Sequence, residues 1–261
     1  MIDIGANLTS GQFRSDRDAV LERARCAGLE GIVVTGTSVV GSRAAARLAS
    51  GHADLWCTAG VHPHDAKSVS AGWIDDIAAL ASEPKVVAIG ETGLDFNRNY
   101  SPPAVQRDVF AAQIDLAGRL DKPLFVHDRE SGGETARLLA DHEARPDRVV
   151  IHCFTGTAQD LDTWLDAGYY IGITGWVCDP RRGDELRTLA PRIPADRLLI
   201  ETDAPYLLPR TLRPRPRSRR NEPAFLVEVA NMLATLRGTT AAKIAETTAS
   251  NARRVFRLRA G

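Results

Sequence analysis

The sequence predicts an α/β protein, a (β/α)₈ TIM barrel, and three observations carry that reading. Short β-branched and apolar runs alternate with segments of helical periodicity, as a parallel sheet with crossover helices requires. The runs number eight and recur about every 28 residues, in a chain whose 261 residues are close to the roughly 250 of such barrels. Polar residues fit for chemistry cluster where these runs end. A doubly wound open sheet is the alternative.

Strands are expected at 1–4, 31–35, 55–59, 86–89, 123–126, 149–151, 169–173 and 198–200. Between them, residues 16–27 form a helix stopped by Gly28, and 103–120 a helix opened by Pro103. Thr157 caps a third helical segment that ends at Gly168. The last barrel helix follows Pro223, and 240–258 reads as one or two further helices that pack outside the barrel or close its bottom. There is no linker, low-complexity tract or repeat beyond the strand–helix unit, so one domain over 1–261 is expected.

Composition narrows the function. The chain is 44% hydrophobic and 25% charged, with no apolar run near the roughly 18 to 20 residues of a membrane helix. The opening Met-Ile-Asp-Ile-Gly has no basic and apolar leader pattern. Cys26, Cys57, Cys153 and Cys178 are too scattered for a disulfide framework or a Cys-x-x-Cys site. A cytoplasmic protein with reduced thiols is expected. Basic and acidic residues balance at 33 each, which disfavours coating of nucleic acid through overall charge. The charge is nonetheless concentrated: Arg210, Arg213, Arg215, Arg217, Arg219 and Arg220 stand together with no acid among them.

In such barrels chemistry sits on the loops after the strands. The first strand end offers Asp3 and Asn7, the third His62-Pro-His64, and the fourth Gly-Glu91-Thr-Gly-Leu-Asp95. The fifth offers His127-Asp-Arg129, the sixth His152-Cys-Phe-Thr-Gly, and the eighth Glu201-Thr-Asp203-Ala-Pro. Imidazoles and carboxylates converging from several strands on one mouth are what a divalent metal requires, so His127, His152, Glu91 and Asp203 form the expected metal site. Glu201 is the weaker candidate of that last block and is assigned to structure. Of the histidines flanking Pro63, His62 is favoured for function and His64 for holding the loop. Arg129 is placed to hold a phosphate oxygen or to pair with Asp95. Pro209, Pro214 and Pro216 stiffen the arginine run beside the mouth, where it would attract a polyanion.

These residues sit in blocks that resemble the TatD family of metal-dependent deoxyribonucleases. D-I-G-A-N-L-T-S, T-A-G-V-H-P-H-D, A-I-G-E-T-G-L-D-F-N-R-N, H-C-F-T-G-T, Y-I-G-I-T-G-W-V-C-D, L-L-I-E-T-D-A-P-Y-L-L-P-R and S-R-R-N-E-P occur in family order, from the first residues to the C-terminal region. The resemblance implies a barrel of the metal-dependent hydrolase type that removes nucleotides from DNA 3′ ends, prefers single strands and also acts on RNA, in DNA repair or nucleic-acid degradation. It implies a divalent metal, usually magnesium, and a monomer. Glu91, His127 and His152 would be ligands, with Glu91 also central to catalysis. Asp203 would be a further ligand or the base that deprotonates water. His62 would contact the scissile phosphate with Arg129 nearby. Independently of the resemblance, the charge of Arg213, Arg215 and Arg217 leads to the expectation that they bind the strand.

Many family members carry His-x-His at the end of the first strand, where this chain has Gly5 and Asn7. A second metal is therefore expected to bind weakly. Two imidazole ligands would by donor type suit manganese or zinc better than magnesium. Two other functions share the pattern: hydrolysis of a smaller ester or amide, including an aminoacyl-tRNA ester, and metal-free binding of nucleic acid.

Overall fold

A computed structural model describes residues 1–258. Eight parallel strands follow one another in chain order: β1 (Ile2–Ala6), β2 (Gly31–Val34), β3 (Leu55–Ala59), β4 (Val86–Asp95), β5 (Leu124–Arg129), β6 (Val149–Ile151), β7 (Tyr170–Ile173) and β8 (Leu198–Ile200). The ring closes just beyond β8. Ala6 bridges Ala204, the Asp203 N–H donates to the Gly5 carbonyl at 2.8 Å, and the Asn7 N–H donates to the Ala204 carbonyl at 2.6 Å. Asp3 staples the same seam by accepting from the Thr202 N–H at 2.9 Å and its hydroxyl at 2.5 Å. Burial pushes the Asp3 carboxyl up to about 7 in spite of these bonds.

The crossovers are α1 (Arg17–Cys26), α2 (Val39–Ser50), α3 (Trp73–Ala81), α4 (Pro103–Leu120), α5 (Glu134–Asp141), α6 (Ala158–Asp166), α7 (Asp184–Leu189) and α8 (Leu226–Leu236). Local chemistry sets their ends. Thr157 and Asp160 form a reciprocal capping box at the start of α6. Pro103 opens α4, and Gly28 after α1 takes a left-handed φ of 85°. One helix, α9 (Ala241–Phe256), follows α8.

Two apolar cores result. One lies between the sheet and its helices. The other fills the barrel with Ile2, Ile4, Val33, Phe125, Val150 and Leu199, and α9 plugs its lower end with Ala252, Val255 and Phe256. Each such side chain contributes about 1.5–3 kcal/mol through burial. With that end sealed by hydrocarbon, buried polar groups gather at the opposite end, where the strands finish.

The strand starts match expectation closely, but three strand ends do not. β4 continues through Asp95, β5 through Arg129 and β1 through Ala6, so Glu91 and His127 lie within strands and not beyond them. Gly-Glu-Thr-Gly reads as a turn, yet every residue of β4 is buried. Gly90 and Gly93 serve close packing: a Cβ on either would overlap the β5 backbone, at Phe125 and His127 respectively.

Candidate active site

Glu91 is the extra residue of a bulge. Gly90 pairs with Phe125 and Thr92 with Val126, leaving Glu91 outside the β4–β5 register, with its N–H bonded to the Gly36 carbonyl at 2.6 Å. Buried glutamines on α4 hold this unusual strand. Gln113 bridges Thr92 and both backbone groups of Val61, while Gln106 accepts from the Asp95 N–H at 2.8 Å. The β3 loop and the β4 extension are thereby fixed to one helix.

Three imidazoles meet one oxygen of Glu91. His152 Nε2 lies 2.8 Å from Oε1, His62 Nε2 3.2 Å and His127 Nδ1 3.3 Å. Burial alone would raise the Glu91 carboxyl, but the facing rings of His152 and His62, with hydrogen bonds from His127 and His152, hold it well below the carboxylate range. Burial likewise disfavours a charged His152, yet Glu91 and Glu201 lift it well above the usual histidine value. His127 is raised too, because hydrogen bonds to Asp95 and Glu91 outweigh burial. His62 moves the other way, lowered by burial in spite of Glu91.

This donor set fits a divalent cation. Several imidazole nitrogens and a carboxylate oxygen point at one place, and outer carboxylates fix the rings as metal ligands usually require. The second nitrogen of His127 lies 3.3 Å from Asp95 Oδ2, and that of His152 lies 3.3 Å from Glu201 Oε2. Proximity alone selects His62, Glu91 and His127, whose ligand atoms lie within 4.8 Å of one another. Hydrogen bonding points elsewhere. His62 Nδ1 accepts the His64 N–H at 3.0 Å, so the neutral ring carries its proton on Nε2 and presents a donor, not a lone pair.

Asp203 stands across the mouth in a left-handed conformation, φ 53°. Its Oδ1 accepts from Asn7 Nδ2 at 2.9 Å. Burial pushes its carboxyl up to about 8, with relief from His152 opposed by Glu91 and Glu201. Asn7 thus orients Asp203. Gly5 has a different reason: a Cβ there would overlap Glu201 Oε2 and approach Phe125 at 3.0 Å. The carboxylate that supports His152 fills the space a first-strand histidine would need. Gly5→Ala is therefore expected to displace Glu201 and to weaken metal binding about 10- to 100-fold, as loss of a ligand's supporting carboxylate does; calorimetric titration checks this. An unchanged affinity would free His152 from dependence on Glu201.

Two residues near the centre were underrated by sequence reasoning. Glu201 is fully buried and accepts the Cys153 N–H at 2.6 Å besides facing His152. Asp95 joins His64 at 2.8 Å to His127. Burial would raise Asp95, but those imidazoles and the Arg98 N–H hold it far below the usual range. Both contacts join residues more than 30 positions apart, and no local pattern announces them.

The arginines divide. Arg129 is exposed and makes no ion pair among the described residues, Asp95 being taken by histidines. Arg215 and Arg219 line a cleft of about 530 Å³ between the β7 and β8 loops, together with Arg181, Trp176 and Leu207. Arg210 pairs there with Asp179 at 2.9 Å. Arg213 turns back onto the carbonyls of Arg210 and Leu212, and Arg217 is exposed outside the cleft lining. Arg220 is structural: it pairs with Asp16 and Glu222 at 2.7 Å, and Glu222 also holds Arg23.

Comparison with known proteins agrees with this geometry. The family model for TatD-related DNases matches residues 2–257. A protein of Erwinia tasmaniensis named 3′-5′ ssDNA/RNA exonuclease TatD is 53% identical over 259 residues, covering 99% of this chain and all of that protein. A protein of the same name from Escherichia fergusonii is 50% identical, with 98% of each chain covered. Among solved structures, a TatD homologue from Escherichia coli K12 superposes with a TM-score of 0.90 at 29% identity, covering 99% of this chain and 98% of its own. A TatD-family hydrolase from Entamoeba histolytica gives 0.89 at 27%, covering 98% and 97%. On its sequence and its barrel alike, the chain belongs to the TatD-related DNase family.

Proposed function

We propose that this protein is a divalent-metal-dependent 3′–5′ exonuclease acting on single-stranded DNA and RNA. The observation that carries the reading is the convergence of three imidazoles on one buried carboxylate oxygen. The arginine-lined cleft beside it suits a polyanion better than a small ester or amide. Kinship with proteins named 3′-5′ ssDNA/RNA exonuclease supplies the substrate class and polarity.

Glu91, His127 and His152 would hold the ion, His127 through Nδ1 and His152 through Nε2. A cation bound there would neutralise phosphate charge and lower the pKa of water. Magnesium is the proposed ion on family grounds, with manganese and zinc suited by the imidazole donors. His62 Nε2–H donates to a phosphate oxygen of the scissile group, a role its neutral ring fits. Asp203, with Oδ1 occupied by Asn7, takes a proton from the attacking water on Oδ2. The new bond to phosphorus replaces its bond to the 3′ oxygen, which takes a proton from solvent while Asp203 returns its own, leaving a 3′-hydroxyl on the shortened strand and the phosphate on the departing nucleotide.

The test is release of mononucleotides from a 5′-labelled single strand, with chelator and after metal is restored. Stepwise shortening that chelator stops and metal restores is expected. Metal-independent cleavage, or release only of an esterified amino acid, would contradict the reading. Asp203→Asn is expected to retain metal affinity within about tenfold while turnover falls by about 10²- to 10⁴-fold, the usual range for proton transfer. Equal losses in both would make Asp203 a ligand.

The cleft arginines should contribute affinity and not chemistry. Each single-strand phosphate neutralised adds about −0.7 to the slope of log K against log salt. Arg215→Ala with Arg219→Ala is therefore expected to weaken binding and flatten that slope, leaving turnover at saturation nearly unchanged. Titrations across a salt series check it, and an unchanged slope would assign the loop to structure.

A further inference from the structure

Besides Val40, two large apolar side chains stand out in solvent among the described residues: Tyr100, 52% exposed, and Tyr206, 54% exposed. They follow β4 and β8, which are four places apart in the ring of eight. The two rings therefore flank the metal-ligand candidates from opposite sides of the mouth. The Tyr100 ring meets His64 edge-on at 4.7 Å, and His64 in turn lies 4.3 Å from His62. On the far side, the Tyr206 N–H donates to the Asp203 carbonyl at 3.0 Å. Solvated aromatic faces beside a candidate site fit stacking of unpaired bases, each of which has a π-face.

The two sides differ in charge. Beyond Tyr206 the chain enters the cleft, where Arg181, Arg215 and Arg219 have no carboxylate partner among the described residues and Asp179 is taken by Arg210. Its volume falls within the range of sites that enclose small ligands. On the Tyr100 side, Arg98 and Arg129 also lack an ion pair among the described residues, but Asp95, Asp128 and Glu130 share their two segments, so that side carries no excess of positive charge. A strand cut at its 3′ end carries a train of phosphates before the scissile bond and one nucleoside beyond it. The train needs an excess of positive charge, whereas the single nucleoside needs only a face to lie on.

We infer a strand polarity across the mouth: the 5′ portion lies in the β7–β8 cleft, Tyr206 stacks on the base preceding the scissile phosphate, and Tyr100 stacks on the 3′-terminal base. This inference rests on the exonuclease reading above. It assigns two positions, neither a metal-ligand candidate, to recognition of unpaired bases.

The test pairs protein variants with strands that lack one base. On an intact strand Tyr100→Ala is expected to lower kcat/KM about 5- to 150-fold, the range for one lost base stack, and Tyr100→Phe to restore it. That loss should vanish on a strand whose terminal nucleotide is abasic and persist when only the penultimate one is abasic. Tyr206→Ala should show the converse. Exchanged couplings overturn the polarity, and absence of coupling to either base overturns stacking. The same pairs are measured as equilibrium binding of strand in chelator, which separates the inference from turnover. Wild-type protein that binds with the expected couplings but releases no mononucleotide once metal is supplied upholds the polarity and overturns the exonuclease reading.

Discussion

Glu91→Gln is expected to lower kcat/KM by roughly a thousandfold or more at saturating metal. Charge neutralisation by a bound cation contributes several kcal/mol to phosphate hydrolysis, and each 1.4 kcal/mol is about tenfold. Glutamine keeps the volume of the side chain but removes the charge that three imidazoles share. The fold should survive, since β4 is held by backbone pairing and by Gln106 and Gln113 and not by the Glu91 carboxylate. Circular dichroism and a thermal melt of the variant establish this before activity is compared. A folded variant within tenfold of wild type would remove Glu91 from the ligand set.

Metal affinity is expected to fall steeply as pH drops, with protons released on binding. In the metal-free protein, His152 is raised well above the ordinary histidine value and His127 is raised as well, carboxylates outweighing burial at both. Each ring must lose its inward proton to bind a cation, so affinity weakens about tenfold per pH unit for every proton displaced. It levels off above the folded values of the rings. Stability of the metal-free protein runs in the opposite sense. The contribution of a raised histidine is fully present below about 6.5 and lost as pH rises through the folded value. Calorimetric titration in two buffers of different ionisation enthalpy reads the protons directly. Affinity independent of pH between about 6 and 8 would mean that both rings are already neutral.

The barrel was legible because its strands are buried on both faces and read as short apolar runs such as Val149–Ile151 and Leu198–Ile200. Helix ends with side-chain chemistry were legible for the same local reason, as at Thr157 and Asp160. What was not legible depends on distant partners. Gly90 and Gly93 signal a turn in isolation, whereas here they let β4 approach the β5 backbone. Glu201 was assigned to structure, but it follows β8 at the barrel seam, where it faces His152 across 49 residues. Nothing in His-Pro-His shows that the His64 N–H caps His62 Nδ1 and so fixes which nitrogen bears the proton. The arginine run was plain in composition, but side-chain direction decides its use: Arg215 lines the cleft while Arg213 folds onto its own backbone.

Glu91, His127 and His152 are expected to hold the ion while His62 remains a hydrogen-bond donor. Anomalous diffraction from manganese-loaded crystals of the protein distinguishes this ligand set from one that includes His62. A peak is expected at about 2.0–2.3 Å from His127 Nδ1, His152 Nε2 and a Glu91 oxygen, with His62 Nε2 beyond bonding distance and His62 Nδ1 still accepting the His64 N–H. A peak bonded to His62, Glu91 and His127, with His152 left to pair with Glu201, would contradict it.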